Sequence, residues 1–91
     1  MDELKRTFTI KNRLGLHARA ASLFVQLANN FSADISVAKN DQEVNGKSIM
    51  GILILAAAQG AEITITARGV DALGAIEGLG ALIENRFGED Q

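Results

Sequence analysis

The stretch Ser48-Ile49-Met50-Gly51-Ile52-Leu53-Ile54-Leu55 decides the fold of this 91-residue chain, because it reads either as a helix or as a buried strand. A serine at the edge of an apolar run is an N-cap signal: its hydroxyl can accept one of the N–H groups left unpaired in a helix's first turn. An aliphatic run of this length also suits a strand covered on both faces. On the helical reading Ile52 and Leu55 face the core, and Ile49, Met50 and Leu53 project away as an apolar patch. An exposed patch that includes a methionine suits docking to several partners, whereas a helix apolar all round would be covered by other elements.

The flanking segments are read by period and by breakers. Toward the N-terminus, Thr7-Phe8-Thr9-Ile10 alternates as a half-buried strand does, and Asn12 to Gly15 closes it with a loop. From about His17 to Asn29, Ala21, Phe24, Val25 and Ala28 recur at helical spacing. Ile35 and Val37 alternate in a second strand, Asn40-Asp41 supplies turn chemistry, and Gln42 to Val44 completes a hairpin. On the other side, Ile63, Ile65 and Ala67 alternate in a fourth strand between Gly60 and Gly69. A last amphipathic helix is expected from an Asp71 N-cap through Leu73, Ile76, Leu79 and Ile83 to Phe87, with Gly88 as its stop. Gly74, Gly78 and Gly80 weaken that helix by up to ~1 kcal/mol each, so packing must hold it, and close helix-to-sheet approach explains some of them. The order is β-α-β-β-α-β-α, and with the helices on one face it makes a two-layer α+β open sandwich. The order of strands within the sheet does not follow from periodicity.

Composition removes several function classes. A net charge of −2 and only four aromatics, all Phe, argue against a nucleic-acid partner. The chain has no cysteine and one histidine, so neither thiolate chemistry nor a zinc or transition-metal site is expected, and no cofactor is. The segment Met1 to Arg6 has no apolar leader, and the longest apolar run falls far short of the ~20 residues that span a bilayer, so a cytoplasmic protein without membrane insertion is expected. A chain of this size forms one compact domain over residues 1–91, with its chemistry at the surface.

The one histidine lies in Leu14-Gly15-Leu16-His17-Ala18-Arg19-Ala20-Ala21, where the loop becomes the first helix. A neutral imidazole is a nucleophile near pH 7, and the unpaired N–H groups of a helix start attract anions. Arg19, two residues on, carries a guanidinium able to grip phosphoryl oxygens with two donors. The cluster points to a phosphoryl acceptor, against the plainer alternative of a solvated histidine beside a cap.

The segments LGLHARAA and NGKSIMG, the latter spanning Asn45 to Gly51, together with the element order, resemble the HPr family, the phosphocarriers of the phosphoenolpyruvate-dependent phosphotransferase system. The ending Phe87-Gly88-Glu89-Asp90 looks more like that family's nitrogen-related branch. The resemblance implies an open-faced sandwich with antiparallel strand order 1-4-2-3. It implies that His17 is phosphorylated on Nδ1 by enzyme I and dephosphorylated by an enzyme IIA, with Arg19 accompanying it. It also implies that Ser48 is a regulatory serine open to an HPr kinase/phosphorylase. Leu16, Ala20, Ile49, Met50 and Leu53 would form the docking surface of a monomer. Where the family usually has proline, this chain has Ala20. Proline would pre-set φ in the first turn, but alanine is a strong helix former, so the helix is expected to survive, with either a more mobile loop-to-helix junction or one more N–H donor near the phosphate.

A carrier of this kind is a stoichiometric intermediary without turnover of its own. The alternatives are a regulatory HPr-like binder that acts through Ser48 and the Ile49/Met50/Leu53 patch without carrying phosphate, and a small-ligand sensing domain of the ACT type. The presence of His17 weighs against the first, and the lack of a ligand motif against the second.

Overall fold

The computed structural model describes residues 3–91; Met1 and Asp2, part of the segment read as lacking a leader, lie outside the described residues. The elements are β1 (Glu3–Thr9), α1 (Ala18–Ala28), β2 (Asp34–Lys39), β3 (Gln42–Asn45), α2 (Ile49–Leu55), β4 (Glu62–Arg68), α3 (Ala72–Glu84) and a short 3-10 turn (Arg86–Gly88). The four strands form one antiparallel sheet in the order β1-β4-β2-β3. The fold is therefore the α+β open-faced sandwich, with the strand order that the family resemblance implied. Among the described residues no helix is long and apolar enough to cross a membrane.

The strand alternation produces one dry face. Ile63, Ile65 and Ala67 of β4 pack with Ile35 and Val37 of β2 under the helices, while Glu62 and Arg68 turn to solvent. Helix α1 contributes Ala20, Ala21, Phe24, Val25 and Ala28 to this core, and α3 contributes Ala75, Ile76, Leu79 and Ile83. β1 begins at Glu3, earlier than the alternation at Thr7 indicated, because backbone pairing with β4 extends to Arg68 and a Glu3–Arg68 ion pair of 2.6 Å closes that end.

Ser48 to Leu55 is a cap and a helix. Ser48 is extended, and its hydroxyl accepts the Gly51 N–H at 3.1 Å. Ile52 and Leu55 are buried as expected. The buried-strand alternative fails because this segment pairs with no strand, and its C-terminal carbonyls are met by the Lys39 ammonium, 3.0 Å from Leu55 O.

The last helix departs from expectation at both ends. Asp71 precedes α3 but does not cap it with its side chain; the carboxylate instead accepts the N–H groups of Ser32 and Ala33, both at 2.8 Å, and so ties the start of α3 to the loop before β2. Leu73 is exposed, and the buried stripe runs through Ala72, Ala75, Ile76, Leu79, Gly80 and Ile83. The helix stops at Glu84, not at Phe87. Arg86 (φ +56°) and Phe87 (φ +54°) adopt left-handed backbone, a conformation that costs roughly 1–2 kcal/mol per non-glycine residue. Burial of the Phe87 side chain, worth about 1.5–3 kcal/mol, offsets part of that cost. The reversal sends residues 88–91 back over the start of α1.

Candidate functional site

The site is assembled from the β1–α1 loop, the first turn of α1 and the C-terminal segment. Gly15 holds the loop in place: its φ is +67°, a Cβ there would stand 2.5 Å from Ala57 O, and the next N–H, of Leu16, donates to that carbonyl at 2.9 Å. This clamp leaves His17 as the N-cap residue of α1, with an extended backbone whose carbonyl accepts the Ala21 N–H at 2.8 Å. The N–H groups of Ala18, Arg19 and Ala20 open the helix and have no intrahelical acceptor, so the positive end of α1 faces the histidine's surroundings.

The His17 side chain does not cap the helix. Its Nε2 lies 2.5 Å from Oε2 of Glu89, and Arg19 Nη1 donates to the same oxygen at 3.2 Å and to Phe87 O at 3.0 Å. The two residues singled out from sequence thus converge on one anionic oxygen. The other Glu89 oxygen accepts from Asn12 Nδ2 at 2.9 Å, and that amide, fully buried, also donates to Gly15 O at 2.8 Å. The Arg13 N–H donates to Gln91 O at 2.9 Å, a second tie between tail and loop. The His17 contact lowers the Glu89 pKa from the ordinary carboxylate value; partial burial opposes this, and Asn12 and Arg19 assist it. Arg13, Leu14, His17, Arg19 and residues 88–91 line one open depression.

Asn12 and Glu89 were not singled out as site residues from sequence. Asn12 reads as ordinary loop chemistry, and an acidic residue after a helix stop has no reading until the path of the tail is known.

The structure divides the expected docking residues. Ile49 and Met50 are exposed, Met50 at 67%, and Leu53 is half-buried. Leu16 and Ala20 are corrected: Leu16 is 4% exposed and Ala20 fully buried, because the loop clamp and the inner stripe of α1 turn both into the core. Leu14 and Ile54 are also exposed, as are Val70 just before α3 and Leu73 in its first turn. Ser48 is half-buried at the start of α2, with its hydroxyl engaged in the cap.

The family described as "PTS HPr component phosphorylation site" matches residues 4–85. The chain belongs to the HPr family. It is 47% identical to the phosphocarrier protein HPr of Cupriavidus necator, over 97% of this chain and 99% of the relative. It is 38% identical to the phosphocarrier protein NPr of Shewanella violacea, over 98% of each. The crystal structure of HPr-C-His from Thermoanaerobacter tengcongensis superposes with a TM-score of 0.92 at 49% identity, covering all of both chains. The relatives that carry this likeness are named phosphocarrier proteins, and the family is that of the phosphotransferase system's HPr component.

Proposed function

We propose that His17 receives a phosphoryl group from phospho-enzyme I and passes it to an enzyme IIA, the chain acting as a cytoplasmic, stoichiometric carrier. The observation that carries this reading is the convergence of His17 and Arg19 on one anionic oxygen at the positive end of α1. Phosphoryl transfer needs positioning and charge stabilisation, and little covalent work from the protein. An imidazole nitrogen provides the lone pair that forms the N–P bond as the donor's P–N bond breaks, and the donor nitrogen keeps that bond's electron pair. First-turn N–H groups and the Arg19 guanidinium then balance the charge on the phosphoryl oxygens. The transfer reverses readily onto a second protein because a phosphoimidazole is a good leaving group.

Partners dock on the exposed apolar face of α2, Ile49, Met50, Ile54 and half-buried Leu53, and on exposed Leu14 beside His17. Ser48 lies at the edge of this face. Phosphorylated by an HPr kinase/phosphorylase, it would place close to two negative charges beside the docking surface and slow exchange with an acidic partner.

Incubation with phosphoenolpyruvate and a cognate enzyme I tests the carrier reading. Acid-labile phosphate is expected on the wild type and none on His17→Ala; an unlabelled wild type beside a working enzyme I would overturn it.

A further inference from the structure

Glu89 is held from two sides, by Asn12 on Oε1 and by His17 and Arg19 on Oε2, and its side chain is only 15% exposed. An ionised carboxylate accepts hydrogen bonds and cannot donate them, so the hydrogen shared with His17 belongs to Nε2. A neutral imidazole has one N–H. With that hydrogen on Nε2, the lone pair is on Nδ1, which makes no hydrogen bond among the described residues.

We propose that Glu89 is a positioning residue for the phosphoryl transfer: it fixes His17 as the Nε2–H tautomer, aims Nδ1 outward as the nucleophile and balances the positive charge the ring acquires. The proposal rests on the carrier reading above. As Nδ1 gives its lone pair to phosphorus, the ring keeps the Nε2 proton and becomes a phosphoimidazolium. The donor ring takes back the electron pair of its broken P–N bond, so no proton or electron is left over. A carboxylate behind a working histidine acts in the same manner in serine proteases, where it sets the tautomer and stabilises the imidazolium. Here the carboxylate comes from the far end of the chain, and the buried Asn12 amide holds it in place.

Two substitutions separate this role from a purely structural one. In Glu89→Gln the amide oxygen keeps the bond to Asn12 Nδ2, so the amide NH2 faces Nε2 and favours the Nδ1–H tautomer, which occupies the nucleophilic lone pair. In Glu89→Ala water replaces the carboxylate and leaves the ring its own preference. A structural role ranks the near-isosteric Gln above Ala; the tautomer role ranks Ala above Gln.

The experiment uses the full chain labelled with 15N, at a pH where an ordinary imidazole is neutral. It reads the two ring-nitrogen shifts of His17 and the single-turnover rate of transfer from phospho-enzyme I. The wild type is expected to be predominantly Nε2–H, and Glu89→Gln to shift toward Nδ1–H. Glu89→Ala is expected to be slower by about tenfold, as for loss of an orienting partner, and Glu89→Gln by about 10²-fold or more, as for a wrong tautomer. An unshifted tautomer in Glu89→Gln, a Gln variant as fast as the Ala variant, or either variant faster than wild type would overturn the proposal; the last would make the carboxylate an occupant that phosphate must displace. If the wild type takes no phosphate, the carrier reading falls, while the ring-nitrogen shifts still decide whether Glu89 sets the tautomer.

Discussion

The edge of the Phe8 ring lies 2.6 Å from the point at which a Cβ on Gly80 would stand. Close approach of α3 to β1 therefore requires glycine at this turn of the helix, whereas Gly74 and Gly78 leave ordinary van der Waals room beside Phe31. Gly80→Ala gains up to ~1 kcal/mol of helix propensity and loses about 1–3 kcal/mol to overpacking. A net loss of roughly 1 kcal/mol is expected in urea unfolding. Combining it with Phe8→Leu removes the clash, so the two substitutions should be clearly non-additive.

Ser48 caps α2 through the Gly51 N–H. Ser48→Ala should lower stability by about 1 kcal/mol. Ser48→Asp keeps an acceptor and favours the helix dipole, so its stability should stay within ~0.5 kcal/mol of wild type. Phosphoryl transfer from enzyme I by the Asp variant should nonetheless slow. Equilibrium unfolding beside a transfer assay separates the two effects, and an unslowed Ser48→Asp would remove Ser48 from any control of docking.

Leu16 and Met50 were expected on one surface and lie on opposite sides of the protein–water boundary. Leu16→Ala should cost about 2–5 kcal/mol of stability through the cavity it leaves. Met50→Ala should change stability by less than ~0.5 kcal/mol, as other surface substitutions do, and raise the enzyme I concentration needed for half-maximal transfer. A Met50→Ala variant with unchanged dependence on enzyme I concentration would mean that partners do not dock on α2.

Arg19 donates to the Phe87 carbonyl and to Glu89, and its side chain is more than half exposed, so it is free to turn toward an arriving phosphate. Arg19→Ala should slow single-turnover transfer by about 10²-fold, the typical cost of losing one charge-stabilising donor. Arg19→Lys should recover part of that, since an ammonium keeps the charge and loses the planar two-point grip. Equal rates for Arg19→Ala and wild type would leave the guanidinium with a purely structural part.

The Asp71 carboxyl titrates below the ordinary aspartate value, chiefly because the Ser32 N–H, and then the Ala33 N–H, bond to its charged form. A pKa depressed by folding contributes stability that is present above the unfolded value and is lost as pH falls through the folded one. Asp71→Asn keeps one acceptor oxygen of two and cannot titrate. It should be less stable than wild type at neutral pH, and the gap should narrow on acidification. Unfolding midpoints measured from about pH 7 down to pH 2 check this; a constant gap would show that the carboxylate's charge is irrelevant to the tie.

The parts of this protein legible in the sequence are those decided within a few residues of chain. Alternation in Ile63-Thr64-Ile65-Thr66-Ala67 sets a strand, and the 3.6-residue recurrence of Ala21, Phe24, Val25 and Ala28 sets a helix face. A hydroxyl before an apolar run sets the Ser48 cap, and a histidine two residues before an arginine at a helix start sets the outline of the site. The remainder depends on the path of the chain through space. The burial of Leu16 is settled by the contact of Gly15 with Ala57, and the end of α3 at Glu84 by the seat the core offers Phe87. The place of Glu89 beside His17, 72 residues away, follows from that left-handed turn. Hydrophobic period and capping are local properties of the backbone, while the partner that orients His17 is brought to it only when the sheet, the helices and the tail have packed.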